Sequence, residues 1–172
     1  MVTRPHLPAL DPLTWLPNRT LFEARLVRAV RDVESRRGTL ALLLIDLDRM
    51  EQVNAILGRY FGDRIMRQAA VRMACTLDAG ASLARLQSDD FAAFFEADDL
   101  AAAGRQAARL LERCRQPYIV DCLALTVTAS IGIALHGRDA DGPATLLARA
   151  ERALNEAKIR GRDRFYPGPA AS

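Results

Sequence analysis

The chain has 172 residues, of which 50% are hydrophobic and 26% are charged, as in a typical soluble globular domain. This composition excludes a disordered chain, a collagen-like repeat and a coiled-coil rod. The formal net charge of +3 is too small for the basic surface of a nucleic-acid-binding protein, so we expect no nucleic-acid partner.

The N-terminus lacks the apolar core of a signal peptide, and no apolar stretch approaches the roughly 20 residues of a membrane helix. We therefore expect a cytoplasmic domain that makes no membrane contact itself, even where the full-length protein is attached to a membrane. Three cysteines, Cys75, Cys114 and Cys122, lie among apolar neighbours and lack the spacing of zinc ligands. We predict that their thiols are buried and reduced.

The first half of the chain predicts three helices and a buried strand. Asn18 is a suitable N-cap for a helix that Gly38 ends. The buried face of this helix has apolar residues at helical spacing: Phe22, Leu26, Val30 and Val33. The apolar run 40–45 predicts a buried strand that emerges at the sheet edge at Asp46. Two more helices are predicted, one over 49–57 and one from about Gly62.

The second half predicts a hairpin, two helices and two further strands. Strands at 83–86 and 91–95 are joined by the polar residues Gln87-Ser88-Asp89-Asp90. Asp98 or Asp99 begins a helix that runs to about residue 115. A long strand over 125–135, a helix over 143–159 and a short strand at 165–166 follow. This order predicts an α+β fold with helices packed on a mixed β-sheet.

Two acidic pairs fall at predicted strand ends: Asp46 with Asp48, and Asp89 with Asp90. Carboxylates that meet at a sheet edge repel each other unless a cation lies between them, and hard oxygen ligands suit Mg²⁺. The pattern therefore indicates a two-metal site for phosphoryl transfer. The alternative is that Asp48 caps the following helix and that residues 88–90 form a simple turn.

Two further pairs have both a functional and a structural interpretation. If Asn54 and Asp63 face one cleft, they can recognise the edge of a guanine, because the carboxylate accepts hydrogen bonds from its N1–H and N2–H groups. The alternative is that Asp63 is an ordinary residue of a helix N-terminus. Lys158 and Arg162, four residues apart at the end of the last helix, can clamp phosphates. They can equally serve only to favour the helix C-terminus electrostatically.

Taken together and in order, five segments resemble the GGDEF (diguanylate cyclase) family over about residues 11–166. They are Asp11-Pro-Leu-Thr-Trp-Leu-Pro-Asn-Arg19, Leu44-Ile-Asp-Leu-Asp48, Gly62-Asp63, Val127-Thr-Ala-Ser-Ile-Gly-Ile-Ala134 and Ala157-Lys-Ile-Arg-Gly-Arg162. We therefore interpret residues 1–10 as a linker, 11–166 as the domain, and 167–172 as a tail or a linker to a following domain.

The resemblance implies a fold like the palm of polymerases and nucleotidyl cyclases. It also implies a reaction in which two GTP-loaded copies face each other as a homodimer, with Mg²⁺, and produce cyclic di-GMP. Carried over by position, the family's roles fall into four groups. The metal ligands are Asp46, the main chain of Leu47 and Asp89; the guanine readers are Asn54 and Asp63; the triphosphate ligands are Lys158 and Arg162; the catalytic acids are Asp89 and Asp90.

The signature loop departs from the family pattern Gly-Gly-Asp/Glu-Glu-Phe, because it reads Gln87-Ser88-Asp89-Asp90-Phe91. Glycine permits positive φ, whereas a left-handed conformation costs other residues on the order of 1–2 kcal/mol each. Asp90 is one methylene shorter than the usual Glu, which shortens its reach. Glu51 replaces the usual Lys, so it repels a nearby triphosphate unless it is a bystander that points to solvent. Trp15 stands where the family commonly has Gly, without a functional explanation.

These departures predict a degenerate GGDEF domain that binds GTP with Mg²⁺ but has little or no cyclase activity. The closing segment 158–166 resembles members that continue into an EAL-type cyclic di-GMP phosphodiesterase, whose activity this domain would control; a sensor domain is another possible neighbour. Two alternatives stay open: an active diguanylate cyclase, and a nucleotide-free module for interaction or dimerisation.

Overall fold

The computed structural model describes residues 9–137 and 142–168, so most of the predicted linker and residues 169–172 of the predicted tail 167–172 lie outside the described residues. The helices are α1 (Arg19–Arg36), α2 (Met50–Leu57), α3 (Arg59–Thr76), α4 (Leu100–Arg115) and α5 (Pro143–Ile159). The strands are β1 (Leu40–Leu47), β2 (Ser82–Gln87), β3 (Asp90–Glu96), β4 (Tyr118–Val120), β5 (Leu123–Leu125), β6 (Ala129–His136) and β7 (Arg164–Pro167).

Five strands form the main sheet, in the order β2-β3-β1-β6-β7. The central strand β1 is antiparallel to β3 and β6, and β7 joins the edge parallel to β6. The predicted α+β fold with a mixed sheet is confirmed. In this register Asp46 lies opposite Asp90 on one side and Ser130 on the other. The end of β1 therefore meets the beginnings of both neighbouring strands.

The sheet has a hydrophobic core on each face because every residue of β1 is buried. Alternate residues from Ala41 to Leu47 pack in one core with α3 and α4. Leu40, Leu42 and Leu44 point to the other face and pack in a second core with α1 and α5. Burial on both faces explains the uninterrupted apolar sequence of β1. It also fixes the position at which the strand changes from apolar residues to acids.

Helix α5 lies unusually close to the sheet at Gly132. A Cβ atom at this position would lie 2.2 Å from the Ala150 carbonyl oxygen and 2.3 Å from the Leu154 nitrogen. Only glycine permits such an approach of helix backbone to strand backbone. The approach holds α5 against β6, and its C-terminal end thereby comes to lie beside the end of β1.

Several predicted boundaries and burial states differ from the structure. The helix expected from about Gly62 begins at Arg59, directly after Gly58, so Gly62 lies inside it. The long strand predicted over 125–135 is divided, because 123–125 pairs with β4 in a separate hairpin and only 129–136 joins the sheet. Cys114 is buried as predicted, whereas the prediction of burial is wrong for Cys75 and Cys122, which are exposed.

Candidate active site

Three carboxylates converge where β1 ends against the β2–β3 turn. Asp46 is only 8% exposed, and Asp89 and Asp90 are partly buried. One oxygen from each of these three residues lies within 4.8 Å of the others. Asp90 therefore reaches the cluster despite its shorter side chain. The main chain ties the turn to the strand, since the Leu47 N–H donates to the Asp89 carbonyl oxygen at 3.3 Å.

Lys158 extends from the end of α5 into this cluster. Its Nζ donates to Asp46 Oδ2 at 2.6 Å. Burial raises the pKa of Asp46 to about 7; the ion pair with Lys158 opposes this change, and the nearby Asp89 charge adds to it. Hard carboxylate oxygens at this spacing, already balanced by an ammonium group, fit a Mg²⁺ ion. The structure thus brings together the predicted acids and one predicted phosphate ligand.

Asp48 faces away from the acidic cluster and binds other parts of the chain. Its carboxylate accepts hydrogen bonds from the Thr128 hydroxyl at 2.6 Å, the Ser130 hydroxyl at 2.7 Å and the Asp163 N–H at 3.2 Å. The expectation that Asp48 belongs to the acidic metal cluster and the alternative that it caps α2 are both wrong, since α2 has no side-chain cap. Its role is to join β1, β6 and the loop after α5.

A cavity of about 310 Å³ opens beside the three acids, and we call it the β1-end cavity. It is lined by Asp46, Arg49, Met50, Glu51, Gln52, Asp89, Lys158 and Arg162. The cavity contains cationic groups from two places in the sequence, the start of α2 and the end of α5. Both predicted phosphate ligands line it. Their position beside carboxylates allows them to bind a polyphosphate that also holds a metal ion.

A second cavity of about 240 Å³ lies between α2 and α3, and we call it the α2–α3 cavity. Asn54 and Asp63 both line it, from the two facing helices. The Asn54 side chain lies directly over Gly62, where a Cβ atom would be 1.9 Å from Asn54 Oδ1. The alternative that Asp63 serves as a helix cap is wrong, because α3 begins at Arg59 and Asp63 lies beyond its first turn.

Glu51 stands between these two cavities. It lines both of them, as do Met50 and Asp89, and its side chain is exposed. A ligand that fills both cavities would lie beside this carboxylate. The repulsion of phosphate by Glu51 stays a prediction.

The signature turn is strained at one residue and held by another. Ser88 has a φ of 41°, whereas Gln87 is in the strand and pairs with Asp90, so the left-handed strain falls on Ser88 alone in residues 87–91. Arg85 holds the turn, since its Nε donates to the Ser88 carbonyl oxygen at 2.9 Å. Its Nη1 also contacts both carboxylate oxygens of Asp11, at 3.0 and 3.1 Å.

Sequence reasoning missed Arg85 because its partners are distant in the sequence. Asp11 precedes it by 74 residues, and no local pattern relates the two. Trp15 belongs to the same N-terminal loop. It has a φ of 60° and is 74% exposed, so it carries backbone strain without burying its ring.

A scan against protein families gives a decisive match. The family model described as "Diguanylate cyclase, GGDEF domain" matches residues 8–164. The chain belongs to the GGDEF family. It is 38% identical over 157 residues to diguanylate cyclase TpbB of Pseudomonas aeruginosa, a match that covers 88% of this chain and 35% of TpbB. It is 35% identical over 155 residues to the bifunctional diguanylate cyclase/cyclic di-GMP phosphodiesterase MucR of the same organism, covering 90% of this chain and 23% of MucR.

A solved structure of the GGDEF domain of TpbB from Pseudomonas aeruginosa has the same fold. It matches with a TM-score of 0.89 and 36% sequence identity, over 93% of this chain and 94% of that one. This GGDEF domain spans between 20% and 35% of the length of the curated relatives it matches. Among its described helices, none combines the length and apolarity needed to cross a membrane.

Proposed function

We propose that this GGDEF domain binds GTP together with Mg²⁺, has little or no cyclase activity, and acts as a regulatory module in cyclic di-GMP signalling. One observation carries the proposal. The two cavities are lined by the residues to which the resemblance assigns guanine and phosphate binding, whereas the departures from the family lie at the signature turn and at Glu51, which lines both cavities.

Guanine recognition is assigned to the α2–α3 cavity. The Asp63 carboxylate accepts hydrogen bonds, and a guanine edge offers N1–H and N2–H donors to it. The Asn54 amide both donates and accepts, so it can bind a neighbouring edge of the base. Adenine lacks this pair of donors, so the cavity favours GTP over ATP.

Phosphate and metal binding is assigned to the β1-end cavity. Lys158 and Arg162 would hold the phosphates, while Asp46, the Leu47 carbonyl and Asp89 would hold Mg²⁺. When bound there, Mg²⁺ would neutralise charge that develops on the phosphates. Asp89 and Asp90 stand at the positions of the two acids in the family's signature loop.

Two features explain why turnover would be low. Glu51 lines both cavities, and at about 4 Å its charge would oppose a phosphate by roughly 1–4 kcal/mol, depending on screening. Ser88 holds a left-handed conformation without glycine, and its side chain limits how closely a nucleotide approaches the turn. Weak binding of the transition state lowers the rate even where GTP itself still binds.

A regulatory role requires a neighbour. MucR is named as a bifunctional cyclase and phosphodiesterase, and NbdA of Pseudomonas aeruginosa, 30% identical over 153 residues, is named a cyclic di-GMP phosphodiesterase. We propose that an EAL-type phosphodiesterase or a sensor domain adjoins this one in the cytoplasm. GTP binding would then alter the neighbour's activity or the formation of a homodimer.

The proposal is tested by measuring binding and turnover on the same preparation. Calorimetric titration with GTP and Mg²⁺ should show binding that ATP does not match. Incubation with GTP and Mg²⁺, followed by chromatography, should show little cyclic di-GMP. Brisk formation of cyclic di-GMP would instead establish an active cyclase. Absence of binding at millimolar GTP would favour a nucleotide-free module for interaction or dimerisation.

A further inference from the structure

Lys158 has a contact that its proposed role as a phosphate ligand does not explain. It is the only lysine in the chain, and its Nζ lies 2.6 Å from Asp46 Oδ2. The Asp46 side chain is 11% exposed and that of Lys158 is 31% exposed, so water screens the pair only partly. The ammonium group thus occupies one side of the carboxylate proposed to hold Mg²⁺.

We propose that Lys158 is a built-in counter-ion that competes with Mg²⁺ for Asp46, so that metal binding releases the ammonium group to bind phosphate. This inference rests on the proposed function, because it takes the Asp46 cluster as the metal site. It assigns Lys158 two successive partners, first a carboxylate of the protein and then a phosphate of the nucleotide.

The charges of the cluster support competition. Three carboxylates have oxygens within 4.8 Å of one another, and Lys158 is the cation bonded directly to one of them. A divalent cation held by the same carboxylate would repel the ammonium group at short range. The lysine stem has four flexible methylene groups and its head is a compact point charge, so the head can move without displacing α5.

Arg162 lies near a different carboxylate, which is not one of the three in the acidic cluster. Its Nε lies 4.0 Å from Asp48 Oδ1, and the next residue, Asp163, donates its N–H to the same carboxylate. Asp48 is itself fixed by Thr128 and Ser130. Arg49 also lines the β1-end cavity, but among its described cations Lys158 is the one bonded to Asp46 and is therefore the one that a metal ion at Asp46 would release.

The consequence is a reciprocal coupling between metal and phosphate. Metal that displaces Lys158 makes a cation available for phosphate, and phosphate that captures Lys158 leaves Asp46 free for metal. Neither ligand then binds well without the other.

The single lysine makes its release directly measurable. At pH 8, brief acylation with an amine-reactive reagent, followed by peptide mass mapping, reports the accessibility of Lys158, and the N-terminal amine serves as internal standard. Saturating Mg²⁺ should raise the labelling of Lys158 by about fivefold or more. In Asp46→Asn the lysine should be labelled rapidly without Mg²⁺ and should not respond to it. Labelling that Mg²⁺ leaves unchanged in the native chain overturns the inference.

Metal affinity provides a second, independent measurement. Titration with Mn²⁺ alone, followed by electron paramagnetic resonance of the free ion, should show binding about fivefold tighter in Lys158→Met than in the native chain. Arg160→Met is the matched control, because it removes a positive charge from the same helix end at a residue that pairs with Glu156 instead. Equal or weaker Mn²⁺ binding in Lys158→Met contradicts the competition.

The two proposals fail in different ways. If Mn²⁺ binds and Asp46→Asn abolishes that binding, but Lys158 labelling and the Lys158→Met affinity stay unchanged, the metal site stands and only the competition is wrong. If neither Mn²⁺ nor GTP with Mg²⁺ binds the native chain, the proposed function is wrong and the competition is wrong with it.

Discussion

The α2–α3 cavity and the signature turn have diverged differently from the family pattern, although both border the same candidate site. In the α2–α3 cavity, Asn54 and Asp63 keep their positions, and Gly62 leaves room for the amide. At the signature turn the glycines are replaced, and Ser88 is strained. The cavity is built on a helix pair and the turn on a strand hairpin. In the proposed function, recognition and turnover would therefore rest on separate elements, so that one could change while the other is preserved.

The largest effect is expected from restoring the turn. The combined change Gln87→Gly, Ser88→Gly and Glu51→Lys removes the strain and replaces a repulsive charge by an attractive one. A gain of about 3 kcal/mol in transition-state binding would raise the rate of cyclic di-GMP formation by roughly 10²-fold. The rate is measured by chromatography after incubation with GTP and Mg²⁺.

A matched variant separates the two causes. The double glycine change with Glu51 retained should recover only part of the rate, because the charge still opposes the phosphates. If the triple change leaves the rate at its original value, the turn and Glu51 are not the reason for low turnover.

Damage to the α2–α3 cavity should instead weaken GTP binding. In Gly62→Ala the new Cβ would lie 1.9 Å from Asn54 Oδ1, so the amide must move. Loss of its hydrogen bond to guanine should weaken GTP binding about tenfold by calorimetry. The substitution should not destabilise α3 itself, because alanine favours a helix over glycine by about 1 kcal/mol.

Gly137→Ala is the control for this change, because among the described residues, its chain neighbours aside, no atom lies within 4 Å of a Cβ built there. It should bind GTP like the native chain. Equal affinity in both alanine variants would mean that Asn54 does not contact the nucleotide.

The acidic cluster predicts a pH dependence of stability in the absence of metal. The pKa of Asp46 rises from its ordinary 3.8 to about 7 in the folded chain, mainly through burial. The folded state thus holds a proton that the unfolded state releases, so this contribution to stability is fully present below about pH 4 and is lost as pH rises through 7. The loss should amount to about 2–3 kcal/mol between pH 5 and pH 8.

Denaturant unfolding of the native chain and of Asp46→Asn at both pH values measures this contribution. The amide cannot ionise, so Asp46→Asn should gain stability relative to the native chain at the higher pH. Asp121→Asn, at an exposed acid, should show no such gain. A difference between the native chain and Asp46→Asn that does not change with pH would refute the assignment.

The smallest effect is expected outside both cavities. Trp15 holds a φ of 60° while 74% exposed, so Trp15→Gly should relieve strain and stabilise the chain by about 1 kcal/mol in unfolding experiments. Trp15→Ala removes the ring but keeps the strain, and it should show no gain. GTP affinity should stay unchanged in both variants, which would confine the effect to the loop.

The sequence predicted those parts of the site that local patterns encode. An apolar strand followed by acids gave the position of Asp46, and polar turn residues between two strands gave the position of Asp89 and Asp90. The resemblance supplied roles for Asn54, Asp63, Lys158 and Arg162. The structure places the first two in the α2–α3 cavity and the last two in the β1-end cavity. Their chemical roles remain predictions.

What the sequence did not predict depends on contacts between distant segments. The bond from Lys158 to Asp46 spans 112 residues, and the bond from Arg85 to Asp11 spans 74. The role of Asp48 depends on hydroxyls of Thr128 and Ser130, which alternate with apolar residues and therefore indicated only a strand. The β4–β5 hairpin was merged into that strand for the same reason, because alternation alone does not show where pairing changes partner.

The carboxylate of Asp48 has a consequence for how the domain folds. It joins segments 82 and 115 residues apart in the chain, and such non-local contacts are costly to form before the intervening elements are in place. We therefore expect the proposed nucleotide pocket to form late in folding. A ligand that recognises the finished pocket will stabilise the entire domain by mass action and slow its turnover by proteases that attack unfolded chains. Cellular GTP would then influence how much of the protein is present as well as what it does.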